Sequence, residues 1–158
     1  MNDMKNNSCC FIGHRKIEKS LALEERIYNE TEKLIEGGIH NFLFGSRSDF
    51  DSLCYEIITD LKGKYRDIKR IYVRAEYPYI NKNYYDYLLE KYEETYYPER
   101  ILNAGRAVYV ERNWHMIDSC FVCMFYYKQN SNAQGKSGTE IAYNYAIKKD
   151  KRIINVAQ

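Results

Sequence analysis

The sequence predicts an α/β fold in which a Rossmann-like, doubly wound and mainly parallel sheet carries helices on both faces. Short apolar runs alternate with longer segments whose apolar residues recur at helical spacing. The first two runs, residues 9–13 and 41–45, each end in a glycine followed by polar residues. Such runs are typical of buried parallel strands, and sheets of this class bind ligands at the carboxyl ends of their strands.

Five strands and five helices are predicted, and they alternate except where two helices follow the third strand. The strands are predicted at residues 9–13, 41–45, 70–74, 120–127 and 152–156. The helices are predicted at residues 20–36, 50–61, 83–94, 105–118 and from 137 onward. In the fourth helix, the spacing predicts an inner face of Ala107, Val110, Trp114 and Ile117. Residues 128–135 lack apolar anchors, which predicts a mobile loop.

Length and charge limit the classes of function. At 158 residues the chain fits one domain, residues 1–158, that is large enough to bury a core. A net charge of +2 gives little support for a nucleic-acid partner, which needs a strongly positive or clustered basic surface. The sequence has no apolar stretch long enough to cross a bilayer, and its polar start lacks the apolar core of a signal peptide. We therefore expect a cytoplasmic protein without a membrane partner.

Five cysteines are an odd number, and most of them lie in predicted strands. This usage is typical of reduced thiols that fill a core. Cys120 and Cys123 have the spacing of a zinc or redox pair, but alternation along a strand predicts that they point to opposite faces. No second Cys/His pair has ligand spacing. The sequence therefore predicts no metal and no cofactor.

Three predicted strand-to-helix junctions carry the small and polar residues that a phosphate site requires. They are Gly13-His14-Arg15, Gly45-Ser46-Arg47-Ser48-Asp49 and Lys136-Ser137-Gly138-Thr139. Glycine lets backbone amides approach an anion, and the start of a helix favours negative charge. A parallel sheet brings all three junctions to one edge. Their convergence predicts a nucleotide or nucleotide-derived ligand.

Residues at the first two junctions also have structural explanations. Gly13 and Gly45 either approach the ligand or simply end their strands. Arg15 either pairs with a phosphate or with a neighbouring carboxylate. Asp51 either contacts a sugar hydroxyl or completes a variant capping box with Ser48.

The later candidates have alternatives too. Ser137 and Thr139 either hold phosphate or cap the last helix, with Glu140 in its first turn. Arg112 and Asn113 lie in the middle of the fourth predicted helix, before the most apolar run of the chain. They either face a polar cleft or form a solvated face.

Segments in this order resemble a known family. They are residues 9–15, 44–51, 71–75, 104–113 with 116–118, and 136–139 followed by Tyr143, Tyr145 and Ala146. Together they resemble the YpsA-like (DUF1273) branch of the SLOG superfamily, which also contains the LOG phosphoribohydrolases and the DNA-processing protein DprA. The resemblance implies a Rossmann-like domain with a nucleotide-type ligand in the cleft formed by the Gly13, Gly45 and Gly138 junctions. Its third segment adds Arg74 to the candidate ligand-binding residues.

Two departures from the family pattern bear on activity. Gly45 is followed by Ser46-Arg47-Ser48-Asp49, where many relatives are glycine-rich. The larger side chains should narrow the space through which a ligand approaches this junction, and Arg47 adds a positive charge. In the LOG enzymes the last junction resembles Gly-Gly-x-Gly-Thr-x-x-Glu, whose glutamate serves glycosidic cleavage. The same spacing from Thr139 gives Ala142, and Glu140 would point about 200° away from that direction on a helix. The departure weakens the interpretation as a hydrolase.

We expect a nucleotide-binding protein that senses or sequesters its ligand, assembled as a homo-oligomer. The alternative is a hydrolase of an N-glycosidic bond, in which Glu140 or Asp51 would be the catalytic carboxylate. A DNA-processing accessory resembling DprA is the weakest hypothesis, because the chain is nearly neutral.

Overall fold

A six-stranded parallel sheet forms the centre of the fold. The computed structural model describes residues 6–101, 105, 107–129 and 137–157. Their strands are β1 (Ser8–Gly13), β2 (Asn41–Phe44), β3 (Lys69–Val73), β4 (Glu94–Tyr96), β5 (Val122–Tyr126) and β6 (Arg152–Asn155). They lie in the order β4-β3-β2-β1-β5-β6, and each adjacent pair is parallel. The direction of winding reverses between β1 and β5, the point at which open α/β sheets bind ligands.

Helices cover both faces of this sheet. The described helices are α1 (Leu21–Glu36), α2 (Asp49–Lys62), α3 (Lys82–Lys91), α4 (Ala107–Ser119) and α5 (Gly138–Lys148). On one face, Ile27 of α1 and Phe50 of α2 pack into a cluster with Phe11 of β1. On the other face, Met116 of α4 and Ala142 of α5 pack into a second cluster with residues of β1 and β5. The predicted fold class is therefore confirmed.

Local sequence signals explain where the helices begin and end. Ser20, Ser48, Asn81 and Ser137 are the N-cap residues of α1, α2, α3 and α5. Each side chain accepts a hydrogen bond from the backbone amide three residues later, at 2.8–3.1 Å. After α1 the chain turns through Gly38, whose φ of 110° favours glycine.

The third predicted helix is wrong at its end. It is predicted to continue to residue 94, but α3 ends at Lys91 and the chain forms the short edge strand β4. The Glu93 carboxylate accepts hydrogen bonds from the Arg70 amide at 2.7 Å and from the Arg70 guanidinium at 2.7 and 3.1 Å. This contact with β3 fixes the chain before β4. A three-residue strand is too short to show a sequence period, so the pattern missed it.

The prediction that Cys120 and Cys123 face opposite sides of the sheet is also wrong. Cys120 precedes β5, where its amide donates to the Ile117 carbonyl, so strand alternation does not apply to it. Both cysteines join Cys10 in the same buried cluster. The described cysteines are free thiols, and burial is among the causes that raise their pKa values.

Some predictions fall on residues outside the described ranges. These are Lys136, most of the predicted loop at 128–135 and residues 104 and 106 of the family-like segment. In the described part of the chain, no helix has the length and apolar character needed to span a membrane.

Candidate functional site

An open cleft of about 960 Å³ lies at the carboxyl edge of the sheet. Loops after β1, β2 and β3 line it together with α4 and the start of α5. It brings together most of the predicted ligand-binding residues: Gly13, His14, Arg15, Gly45, Ser46, Arg47, Arg74, Arg112, Asn113, Ser137, Gly138 and Thr139. Asp49, Asp51 and Glu140 are not among its lining residues. The volume is near the upper end for small-molecule sites.

The cleft is biased toward positive charge. Arg15, Arg47, Arg74 and Arg112 line it, and Glu76 is the one acidic side chain among its described lining residues. Guanidinium groups in a concave site concentrate anions and can hold a phosphate through paired hydrogen bonds. The arrangement therefore favours an anionic ligand.

Packing explains the glycine at the end of β1. A Cβ atom on Gly13 would lie 2.7 Å from Phe50 Cβ and closer still to the Phe50 ring. Phe50 is fully buried in the first turn of α2. Because Phe50 occupies this space, the structure favours the interpretation that Gly13 ends its strand.

His14 connects the loop after β1 to the chain after β5. Its Nε2 accepts a hydrogen bond from the Lys128 amide at 2.9 Å. Its ring lies edge-on to Tyr126 and tilted against Tyr127, with centroids 6.1 and 5.8 Å apart. His14 therefore joins the two strands between which the winding reverses.

The Asp51 carboxylate accepts hydrogen bonds from its own β2–α2 junction. Its Oδ2 accepts hydrogen bonds from the amides of Gly45 at 3.2 Å and Ser46 at 3.0 Å, and its Oδ1 accepts one from the Ser48 hydroxyl at 3.3 Å. Burial raises the pKa of Asp51 from 3.8 to about 6, while these hydrogen bonds and the charge of Arg112 act in the opposite direction. The structure therefore favours Asp51 as a capping residue rather than a sugar ligand.

The start of α2 is also closed to a phosphate. The Asp49 amide donates to the Arg15 carbonyl at 2.8 Å, and Asp49 Oδ2 accepts from the Ile17 amide at 3.4 Å. Asp49 and Asp51 place two carboxylates in this first turn. Negative charge already occupies the position where the helix dipole would favour an anion.

Arg112 is buried at the base of the cleft, with 5% of its surface exposed. Its guanidinium donates to the Gly45 carbonyl and to Asn113 Oδ1, the latter at 3.0 Å. A Cβ atom on Gly45 would lie 2.7 Å from Arg112 Cδ. Burial lowers the pKa of Arg112, while the charge of Asp51 acts to raise it. The structure therefore favours the polar cleft over the solvated face.

The predicted inner face of α4 is partly wrong, because Arg112 belongs to the buried side of the helix. Ile117 is buried as predicted, but the other buried positions of the helix are Val108, Arg112 and Met116. The three other predicted inner residues, Ala107, Val110 and Trp114, are only partly buried. Helical spacing of apolar residues identifies only apolar positions on an inner face, so it does not predict a buried arginine. Arg112 is stabilised there by the Gly45 carbonyl and the nearby Asp51 carboxylate.

The start of α5 differs from the other two junctions. Ser137 Oγ accepts the Glu140 amide at 3.1 Å, which leaves the earlier amides of Gly138 and Thr139 without an acceptor within their helix. No hydrogen bond among the described residues occupies these two amides. A Cβ atom on Gly138 would meet nothing within 4 Å. As far as the described residues go, backbone donors for an anion are therefore open here.

Arg74 and Arg47 line the other side of the cleft. Arg74 donates to Thr95 Oγ1 at 3.2 Å and to the carbonyls of Tyr77 and Pro78, both at 3.4 Å. These contacts fix its guanidinium, and burial lowers its pKa. Arg47 is exposed, with Nη2 donating to the Tyr84 hydroxyl at 3.4 Å.

Several cleft residues were not singled out as ligand-binding from the sequence. They are Tyr72, Tyr77, Tyr84, Tyr109 and Glu76. The neighbouring Glu76 carboxylate raises the pKa of Tyr109. The available signal was the high tyrosine count and the position of Glu76 just after the third predicted strand.

Glu140 lies beside the cleft rather than in its lining. Burial together with the nearby charge of Glu140 raises the pKa of Tyr127.

No protein-family model matches the chain, and a search of curated proteins found no match. The function therefore has to be inferred from the chemistry of the cleft and from the sequence resemblance.

Proposed function

We propose that this protein binds a nucleotide or nucleotide-derived small molecule and acts as a sensor or a sequestering protein. One observation carries the proposal: four arginines and four tyrosines line a single cleft at the carboxyl edge of the sheet. Guanidinium groups suit phosphate, whereas tyrosine rings suit a base or a sugar face. A nucleotide combines these two chemistries in one molecule.

The phosphate is proposed to bind at the start of α5. The amides of Gly138 and Thr139 have no partner among the described residues, in contrast to those of Gly45 and Ser46, which donate to Asp51. The exposed Arg15 lines the same cleft and would supply the charge. A helix N-terminus together with a guanidinium is a favourable anion site.

Binding without turnover is favoured by the positions of the predicted catalytic carboxylates. Glycosidic cleavage needs a carboxylate beside the scissile bond. Asp51 is 3% exposed and bonded to its own loop, and Glu140 does not line the cleft. Sequence resemblance further supports membership of the SLOG superfamily as part of this proposal, because the fold and the position of the cleft agree with those expected.

A hydrolase of an N-glycosidic bond is the second candidate function, and Glu76 is the observation that favours it. Glu76 is an exposed carboxylate that lines the cleft near Tyr109. In such an enzyme Glu76 would activate water or stabilise the positive charge that develops on the sugar. Turnover that Glu76→Gln abolishes, while nucleotide binding persists, would support this candidate over the first.

Isothermal titration with adenosine, AMP, ADP and ADP-ribose tests the proposed phosphate site. Arg15→Ala should weaken binding of the phosphorylated compounds by about 1.5–3 kcal/mol, the range for a charged hydrogen bond. It should leave any binding of adenosine unchanged. Lys16→Ala is the matched control, because Lys16 is the exposed neighbour that does not line the cleft. Equal affinities in wild type and Arg15→Ala would contradict the assignment.

A further inference from the structure

A second cavity of about 290 Å³ adjoins the main cleft. We call it the annex. The two cavities share Ser46, Arg47 and Tyr72, so a ligand can extend from one to the other past Arg47. The annex is close to the lower end of the size range for ligand pockets.

Four tyrosines line the annex. Its lining includes Tyr55, Tyr72, Tyr87 and Tyr92. The Tyr92 ring centroid lies 5.2 Å from that of Tyr55 and 5.2 Å from that of Tyr72. The Tyr55 hydroxyl donates to the Lys91 carbonyl at 2.6 Å. These contacts hold an aromatic wall in place before any ligand binds.

The annex differs from the main cleft in its charge. Its described lining contains two cations, Arg47 and Lys91, and two carboxylates, Asp51 and Glu56. The main cleft has four arginines and only Glu76 to oppose them. A cavity with tyrosine walls and equal numbers of positive and negative groups suits a neutral ring, whereas an excess of guanidinium groups suits phosphate.

One face of α3 contributes to both cavities. Tyr84 lines the main cleft and Tyr87 lines the annex, and their rings are stacked with centroids 6.2 Å apart. Arg47 donates to the Tyr84 hydroxyl and lines both cavities. Arg47 therefore stands at the border, where it would contact a phosphate that links the two parts of a ligand.

We propose that the annex binds an aromatic ring, and that the ligand is a dinucleotide: two ring-bearing halves joined through phosphate. This inference rests on the proposed function, because it places the first nucleotide in the main cleft. The linking phosphates extend from the start of α5 and Arg15 toward Arg47, and the second ring stacks on the tyrosines of the annex. Any flat base can stack on tyrosine. The annex therefore selects for a ligand with a second ring, but not for a particular base.

Titration with diadenosine diphosphate and ADP tests the inference, because both contain a pyrophosphate and differ by one adenosine. Wild type should bind the dinucleotide at least about tenfold more tightly than ADP. Ser52→Trp should remove this advantage without changing the affinity for ADP, since Ser52 lines the annex and not the main cleft. Asp60→Trp, on an exposed position of the same helix outside both cavities, should retain it.

Tyr87→Ala provides a second variant in case Ser52→Trp fails to fold. It should weaken dinucleotide binding about tenfold and leave ADP binding unchanged. Equal affinities of wild type for the two compounds, or an advantage that survives both variants, would overturn the role of the annex while leaving the proposed function intact. If neither compound binds wild type, the inference and the proposed function both fail.

Discussion

Replacing Asp51 separates a structural role from a role in ligand binding. Asp51→Ala leaves the amides of Gly45 and Ser46 and the Ser48 hydroxyl without their acceptor. It also removes the carboxylate whose charge opposes that of the buried Arg112. Leaving one partner of a buried charged pair uncompensated costs about 3–5 kcal/mol, and we expect a loss of this size in the free energy of unfolding.

Asp51→Asn is the conservative counterpart. It keeps the shape and one acceptor oxygen and, although it also removes the charge that opposes Arg112, it avoids the cost of burying an ionised carboxylate, so at pH 7 its loss should be smaller than that of Asp51→Ala, within about 1.5 kcal/mol. Asp60→Ala, at an exposed carboxylate on the same helix, should change stability by less than about 0.5 kcal/mol. Urea unfolding followed by circular dichroism measures all three. Wild-type stability in Asp51→Ala, combined with lost nucleotide binding, would refute the structural role and make Asp51 a ligand contact.

Three further results are expected from the same geometry. Because burial raises the pKa of Asp51 to about 6, the folded state binds this proton more tightly than the unfolded state. The stability advantage of wild type over Asp51→Asn should therefore fall by about 2.4 kcal/mol as the pH rises from about 4 to about 7, and a constant difference would contradict this. Gly13→Ala should cost about 1–3 kcal/mol through its clash with Phe50, whereas Gly138→Ala should change stability by less than about 0.5 kcal/mol; equal effects would refute the packing argument. Glu140→Gln should leave nucleotide affinity unchanged within about twofold, and lost binding would place Glu140 in the site.

The fold could be predicted because its signals are local and repeated. Apolar runs such as residues 9–13 sit in the interior of the sheet, and the periodic apolar residues of α1 and α2 face the core. The strand β4 could not be predicted, because its three residues are held mainly by partners on β3 that are distant in sequence. The sequence left the choice between a polar cleft and a solvated face open for Arg112, because its environment depends on Gly45 and Asp51, which only the folded chain brings near it.

The edge of the sheet that carries the cleft could be predicted, but the roles of its residues could not. Glycines, serines and arginines after buried strands indicated this edge. The sequence could not decide whether Asp51 faces a ligand or its own loop, because both roles use the same residue type at the same spacing. It also gave no reason to select Tyr109 and Glu76 from among many tyrosines and glutamates. Only the folded chain brings both of them into the cleft.

The most direct test of nucleotide binding without turnover uses mass spectrometry. Purified wild type and Arg15→Ala are incubated with ADP, ADP-ribose, NAD and diadenosine diphosphate, and free and protein-bound fractions are analysed by liquid chromatography with mass spectrometry. We expect one compound to be retained intact in proportion to wild-type protein, released on denaturation and retained far less by Arg15→Ala. Retention of none of them, or loss of a compound with matching release of its free base, would contradict the account.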